Sequence, residues 1–116
     1  MKLISWNING FRSLMNRTLL DAFARLDADV YCLQETKLQA GQVELDLPGV
    51  TGIWNYADRP GYSGTAVLTL RTPVSSRFGL CEDETDTQGR VITADLGDFY
   101  LVNAYAPNVA ADLSRL

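Results

Sequence analysis

Histidine is missing altogether from the 116 residues. Its absence excludes Ser-His-Asp and Cys-His nucleophile systems within this chain, along with any zinc site that needs imidazole. Acid–base work is left to carboxylates, Tyr, Lys or metal-bound water. Cysteine is scarce: Cys32 and Cys81 lie far apart and show no metal-ligand spacing. Cys32 sits in an apolar run and reads as a small hydrophobe, so two reduced thiols are expected rather than a disulfide. The Asn16-Arg17-Thr18 sequon is then a chance match. No apolar run approaches the roughly 18 residues of a membrane span, and the polar start after Lys2 is not expected to act as a signal peptide. A soluble, cytoplasmic protein without membrane association is expected. A surplus of positive charge is also lacking. The net charge of −4 argues against a non-specific nucleic-acid binder, although it leaves room for a local basic patch.

What remains is a globular composition, 47% hydrophobic and 21% charged, at a length suited to one domain. Lys2 to Ile8 alternates well enough for a strand that Asn9-Gly10 stops. Leu19, Leu20, Phe23 and Leu26 follow helical spacing, and Thr18 with Asp21 resembles a capping box. Val30-Tyr31-Cys32-Leu33 is a second strand after Asp27-Ala28-Asp29. Strand, helix and strand in this order predict a βαβ unit with parallel strands and a right-handed crossover. Further strands are predicted over Val50–Tyr56, Thr65–Leu70, Arg90–Leu96 and Phe99–Ala104, the last two joined by a Gly97-Asp98 hairpin turn. Leu45 to Gly49 and Arg59 to Gly64 are loops, and Val109 to Leu116 begins a helical pattern.

Ligands of open α/β sheets gather beyond the carboxyl ends of strands, where this pattern puts both Asn7 and Glu35. Magnesium takes one or two protein carboxylates, keeps several waters and lets phosphate fill the rest, so Glu35 with Asn7 would suffice. On spacing alone, a capping carboxylate or a Glu35–Lys37 salt bridge is the first reading and the metal ligand the second. Gly10 would let backbone approach a ligand and Arg12 would grip a phosphate, but a turn with a solvated Arg fits as well. Gly61-Tyr62-Ser63-Gly64 lacks phosphate-loop spacing, though Tyr62 offers a face for stacking on a base. Tyr105 and Asn108 follow the last strand on the same presumptive ligand side.

Five blocks in order, ISWNINGFRS (4–13), VYCLQETKL (30–38), GYSGTAVL (61–68), QGRVITADL (88–96) and LVNAYAPN (101–108), resemble the exonuclease III family of abasic-site DNA endonucleases. That family has the deoxyribonuclease I fold. The resemblance implies an α/β mixed sheet forming one half of a four-layered α/β sandwich. Residues 1–116 would be the N-terminal portion of a single endonuclease/exonuclease/phosphatase domain. It implies Glu35 and Asn7 as metal-site residues for Mg²⁺ (Mn²⁺ as a substitute), with Asn7 and Tyr105 as catalytic residues, Tyr105 set against the scissile phosphate. Asn9, Gly10, Arg12, Lys37, Tyr62, Arg90 and Asn108 would line the DNA face. The implied reaction is phosphodiester hydrolysis 5′ to abasic sites, with 3′→5′ exodeoxyribonuclease activity. The implied partner is double-stranded DNA carrying abasic sites or 3′ ends.

Family members are about twice as long, and the residues that handle the attacking water lie in the half without a counterpart here. The chain is therefore expected to be nearly inactive alone. It would need the missing C-terminal half, or a second copy of itself, to complete the site. An apolar sheet face left bare is a further expectation. The alternative is a non-catalytic protein of the same fold that binds nucleic acid or a partner.

Overall fold

The computed structural model describes residues 1–14, 17–42, 47–79 and 89–106. Asn108, Cys81, Asn16 and the helical pattern after Val109 lie outside the described residues, as does the side chain of Thr18. The elements are β1 (Leu3–Asn7), α1 (Phe11–Leu14), α2 (Arg17–Leu26), β2 (Val30–Gln34), β3 (Thr51–Asn55), β4 (Thr65–Thr69), β5 (Ser75–Phe78), β6 (Val91–Asp95) and β7 (Tyr100–Ala104).

The strand–helix–strand order and the parallel pairing expected of a βαβ unit are present. β1 and β2 pair in parallel from Leu3 opposite Val30 to Asn7 opposite Gln34. β4 then adds antiparallel to β2, and β3 antiparallel to β4, for the order β1-β2-β4-β3. A second, wholly antiparallel sheet runs β5-β6-β7. The β6–β7 turn closes on Leu96 N–H to Phe99 O (3.0 Å), leaving Gly97-Asp98 as its two central residues, with Gly97 at φ +100°.

β2 is an unbroken apolar run because both of its faces are covered. Tyr31 and Leu33 join Ala66 and Leu68 of β4 in a core that Phe23 and Leu26 of α2 pack against. Val30 and Cys32 point the other way, with Val67 and Ile53, onto Ile92 and Ala94 of β6 and Leu96 just after it. The layers are thus helix, sheet, sheet. Burial pushes the Cys32 thiol up to about 11, so it stays protonated at neutral pH and packs as the hydrophobe its context predicts.

Two elements escaped the sequence pattern. α1 replaces the simple turn expected at Gly10-Phe11-Arg12; Phe11 is fully buried there, edge-on to Trp54 with ring centroids 5.3 Å apart. β5 is exposed at all four positions and so has no alternation to read. The outer face of β5–β7 is mixed rather than uniformly apolar. Tyr100 (74% exposed) and Val102 (54%) stand among Ser75, Arg77, Thr93 and Asp95. Among the described residues, no helix is long and apolar enough to cross a membrane.

Candidate active site

Glu35 is delivered by a break in the β2–β4 pairing. Regular pairing ends with Gln34 opposite Thr65. Beyond it, Thr36 N–H bonds Gly64 O (3.1 Å) and Lys37 N–H bonds Ser63 O (2.8 Å), a register shifted by one residue. Glu35 is the extra residue, as in a β-bulge, and it takes the left-handed conformation such a position asks for (φ +55°). Its own carbonyl accepts from Gly10 N–H (2.7 Å), while Ile8 N–H bonds Gln34 O and Phe11 N–H bonds Thr36 O. The loops after β1 and β2 and the loop before β4 are therefore joined through their backbones.

The cost of this arrangement is visible. Asn9, Glu35, Lys37 and Ser63 all hold positive φ without being glycine, at about 1–3 kcal/mol each. The buried hydroxyls of Thr36 and Ser63 have no hydrogen-bond partner among the described residues.

The side chains meet in two groups. Tyr105 Oη donates to Glu35 Oε1 at 2.5 Å, joining residues 70 apart in sequence. Lys37 Nζ donates to Asn9 Oδ1 (2.7 Å), and Asn9 N–H to Asn7 Oδ1 (3.2 Å). The Glu35–Lys37 salt bridge favoured by spacing alone is not formed: each side chain has turned to a different partner. Asn7 lies at the end of β1 but orients Asn9 rather than Glu35. Tyr62 is half-buried under the Arg59 guanidinium, 5.1 Å from its ring centroid, on the same loop as Ser63 and Gly64. Arg12 is exposed on α1, outside these hydrogen-bonded groups. Arg90 supports Tyr105 through the backbone, its carbonyl accepting Tyr105 N–H at 2.8 Å.

The residues that bring Tyr105 to Glu35 went unnoticed in the sequence. Asn103, 2% exposed, sends Nδ2 to Leu33 O (3.0 Å) and Ala66 O (2.8 Å) and accepts Gln34 Nε2 on Oδ1 (2.8 Å). Asn55 Nδ2 bonds Val91 O, and Thr65 Oγ1 bonds Gly89 O. These buried polar groups fix the second sheet on the first with specific geometry. Gly89 sits so close to the end of β3 that a Cβ there would lie 2.7 Å from Asn55 O, which requires glycine just before Arg90. The readable signal was Asn103 itself, a polar residue at an inward position of a strand.

Among the described residues, no group of three or more His, Cys, Asp or Glu side chains converges. The donor set still fits a hard cation that keeps most of its waters. Glu35 is a half-buried carboxylate whose only hydrogen bond among the described residues falls on Oε1.

Two face-packed sheets with a helix on one outer side, and polar groups gathered beyond the ends of β1 and β2, place the chain among deoxyribonuclease I-like folds. The family model described as "Endonuclease/Exonuclease/phosphatase family" matches residues 4–115, and the chain belongs to that family of hydrolases, which includes metal-dependent nucleases. The chain is 44% identical to an exodeoxyribonuclease of Bacillus subtilis, over all of this chain and 46% of the relative. It is 40% identical to the DNA repair nuclease APEX1 of Danio rerio, over all of this chain and 39% of the relative. A Neisseria 3′ phosphatase solved with a product DNA hairpin superposes with a TM-score of 0.77 at 27% identity, over 94% of this chain and 42% of that one. The chain thus spans under half the length of these relatives, and the expected resemblance to exonuclease III-type enzymes is borne out.

Proposed function

We propose that these 116 residues are the N-terminal part of a single endonuclease/exonuclease/phosphatase domain in a DNA repair nuclease. The reaction is Mg²⁺-dependent phosphodiester hydrolysis 5′ to abasic sites, with 3′→5′ exodeoxyribonuclease activity, on double-stranded DNA. The observation that carries the reading is the bulged Glu35 carboxylate held by Tyr105 beside the Asn7–Asn9–Lys37 chain. The names of the relatives and the DNA-bound neighbour support the substrate class.

Glu35, with Asn7 nearby, would hold Mg²⁺, for which Mn²⁺ can substitute. When bound there, such an ion would supply positive charge to offset that of the phosphate and of the leaving oxygen. Tyr105 fixes the rotamer of Glu35 and sets its own hydroxyl at the edge of the scissile phosphate. Lys37, steadied by Asn9, contributes positive charge beside the strand, and Gly10 leaves the backbone open to close approach. Arg12, Tyr62, Arg90 and Asn108 extend the DNA face. Activation of water is assigned to the C-terminal half found in longer relatives, or to a second copy. The free Cys32 thiol favours a reducing, cytoplasmic setting.

The test is incision of a labelled duplex carrying one abasic analogue, in Mg²⁺ and in EDTA. Alone, the chain is expected to bind the duplex and cut little. Supplying in trans the segment of the Bacillus relative that follows the matched region should restore Mg²⁺-dependent cutting, and Glu35→Ala should remove it. Undiminished cutting by the Glu35→Ala variant would sink the assignment of Glu35. Efficient cutting by the chain alone would show that it supplies its own water-activating group.

A further inference from the structure

Thr36 lies between two left-handed residues, Glu35 (φ +55°) and Lys37 (φ +56°), and is itself 1% exposed. Two such departures flanking a single residue persist only where the surroundings over-determine them. The surroundings here are specific. Thr36 N–H is held by Gly64 O and Thr36 O by Phe11 N–H, so its backbone is pinned from both neighbouring loops. Its side chain fills the space above the bare α-carbon of Gly64, where an added Cβ would lie only 2.4 Å from Thr36 Oγ1. Among the described residues, that hydroxyl has no hydrogen-bond partner. The side chain therefore acts through its shape, filling a slot that Gly64 leaves open, with Glu35 on one side of it and Lys37 on the other.

We propose that Thr36, seated against Gly64, is the positioning residue of the Glu35 carboxylate: its buried side chain is a wedge that locks the bulge and holds Glu35 against Tyr105. The importance of that position rests on the reading of Glu35 as the metal-binding carboxylate, but the position can be measured without metal. Filling the slot, rather than hydrogen bonding, is the property that matters. Thr36→Val keeps the shape and Thr36→Ala empties it.

The experiment uses the metal-free chain labelled with ¹³C at glutamate, followed by Mn²⁺ titration. In the wild type, the Glu35 side-chain carboxyl resonance reports its hydrogen bond from Tyr105, and Tyr105→Phe supplies the broken reference. Thr36→Ala should move the resonance to the broken position and weaken Mn²⁺ binding about 10-fold, as loss of a supporting residue around a metal ligand typically does. Thr36→Val should keep the wild-type resonance and an affinity within about threefold. A wild-type resonance in folded Thr36→Ala overturns the proposal. So does a pattern in which Thr36→Ser preserves the resonance and Thr36→Val loses it, since the hydroxyl would then be the working part. Should Thr36→Ala not fold, the Val and Ser pair decides alone. Glu35→Ala separates the two ideas: unchanged Mn²⁺ affinity there rejects the metal-site reading, while the metal-free resonance still judges Thr36.

Discussion

The two ends of the four-stranded sheet use the same strands and are finished in opposite ways. At the end near Lys2 and Leu70, polar groups are paired off. Lys2 Nζ takes the Leu26 carbonyl left over at the end of α2, and Lys2 N–H bonds Asp29 Oδ2 (2.7 Å). Tyr31 Oη accepts Ala28 N–H and donates to Phe23 O, both at 3.0 Å. Asp27 closes the helix in a left-handed conformation, with its N–H returned to Phe23 O. At the opposite end, Glu35 and three other non-glycine residues hold positive φ, two buried hydroxyls lack partners among the described residues and the strand register slips. One end is finished for stability. The other carries strain of the sort that collects at functional sites, and the rest of the fold offsets it.

The largest effect should come from the clamp that holds the site end onto the second sheet. Asn103→Ala leaves Gln34 Nε2 and the carbonyls of Leu33 and Ala66 short of a partner, and should cost roughly 3 kcal/mol in urea unfolding. It should also break the Tyr105–Glu35 bond, because Asn103 sits two residues before Tyr105. A loss under 1 kcal/mol would mean that sheet packing, and not this amide, sets the register.

Next comes the finished end. Tyr31→Phe strands the buried N–H of Ala28 and should destabilise by about 1–2 kcal/mol, leaving Mn²⁺ affinity unchanged. The smallest change should have the opposite sign. Lys37→Gly relieves a left-handed residue while losing only an exposed hydrogen bond to Asn9, so it should stabilise by up to about 1 kcal/mol. Duplex binding should weaken in the same variant, with a shallower salt dependence. If Lys37→Gly destabilises as Tyr31→Phe does, the contrast between the two ends is wrong.

Much of this was legible in the chain. The alternation of β1, the helical spacing of α2 and the apolar run of β2 predicted the parallel pair, and hence that Asn7 and Glu35 would end on neighbouring strands. The order of five motif blocks pointed to the family and to Tyr105. Less could be read where the signal is not periodic. β5 has no buried face, and α1 is a single turn anchored by one aromatic ring. The bulge at Glu35 exists only as an offset between β2 and β4, which neither segment carries by itself. The pairing of Glu35 with Lys37, attractive at a separation of two residues, failed because left-handed backbone at both positions turned their side chains to Tyr105 and Asn9.

The sequence by itself determined which residues could do chemistry and at which strand ends they would emerge, because hydrophobic period and turn residues act locally. Only the tertiary structure decided that Tyr105 reaches Glu35, that Asn103 clamps the sheets and that Thr36 wedges against Gly64. Those contacts depend on register and on the packing of one sheet over another, and they are set by many distant residues at once.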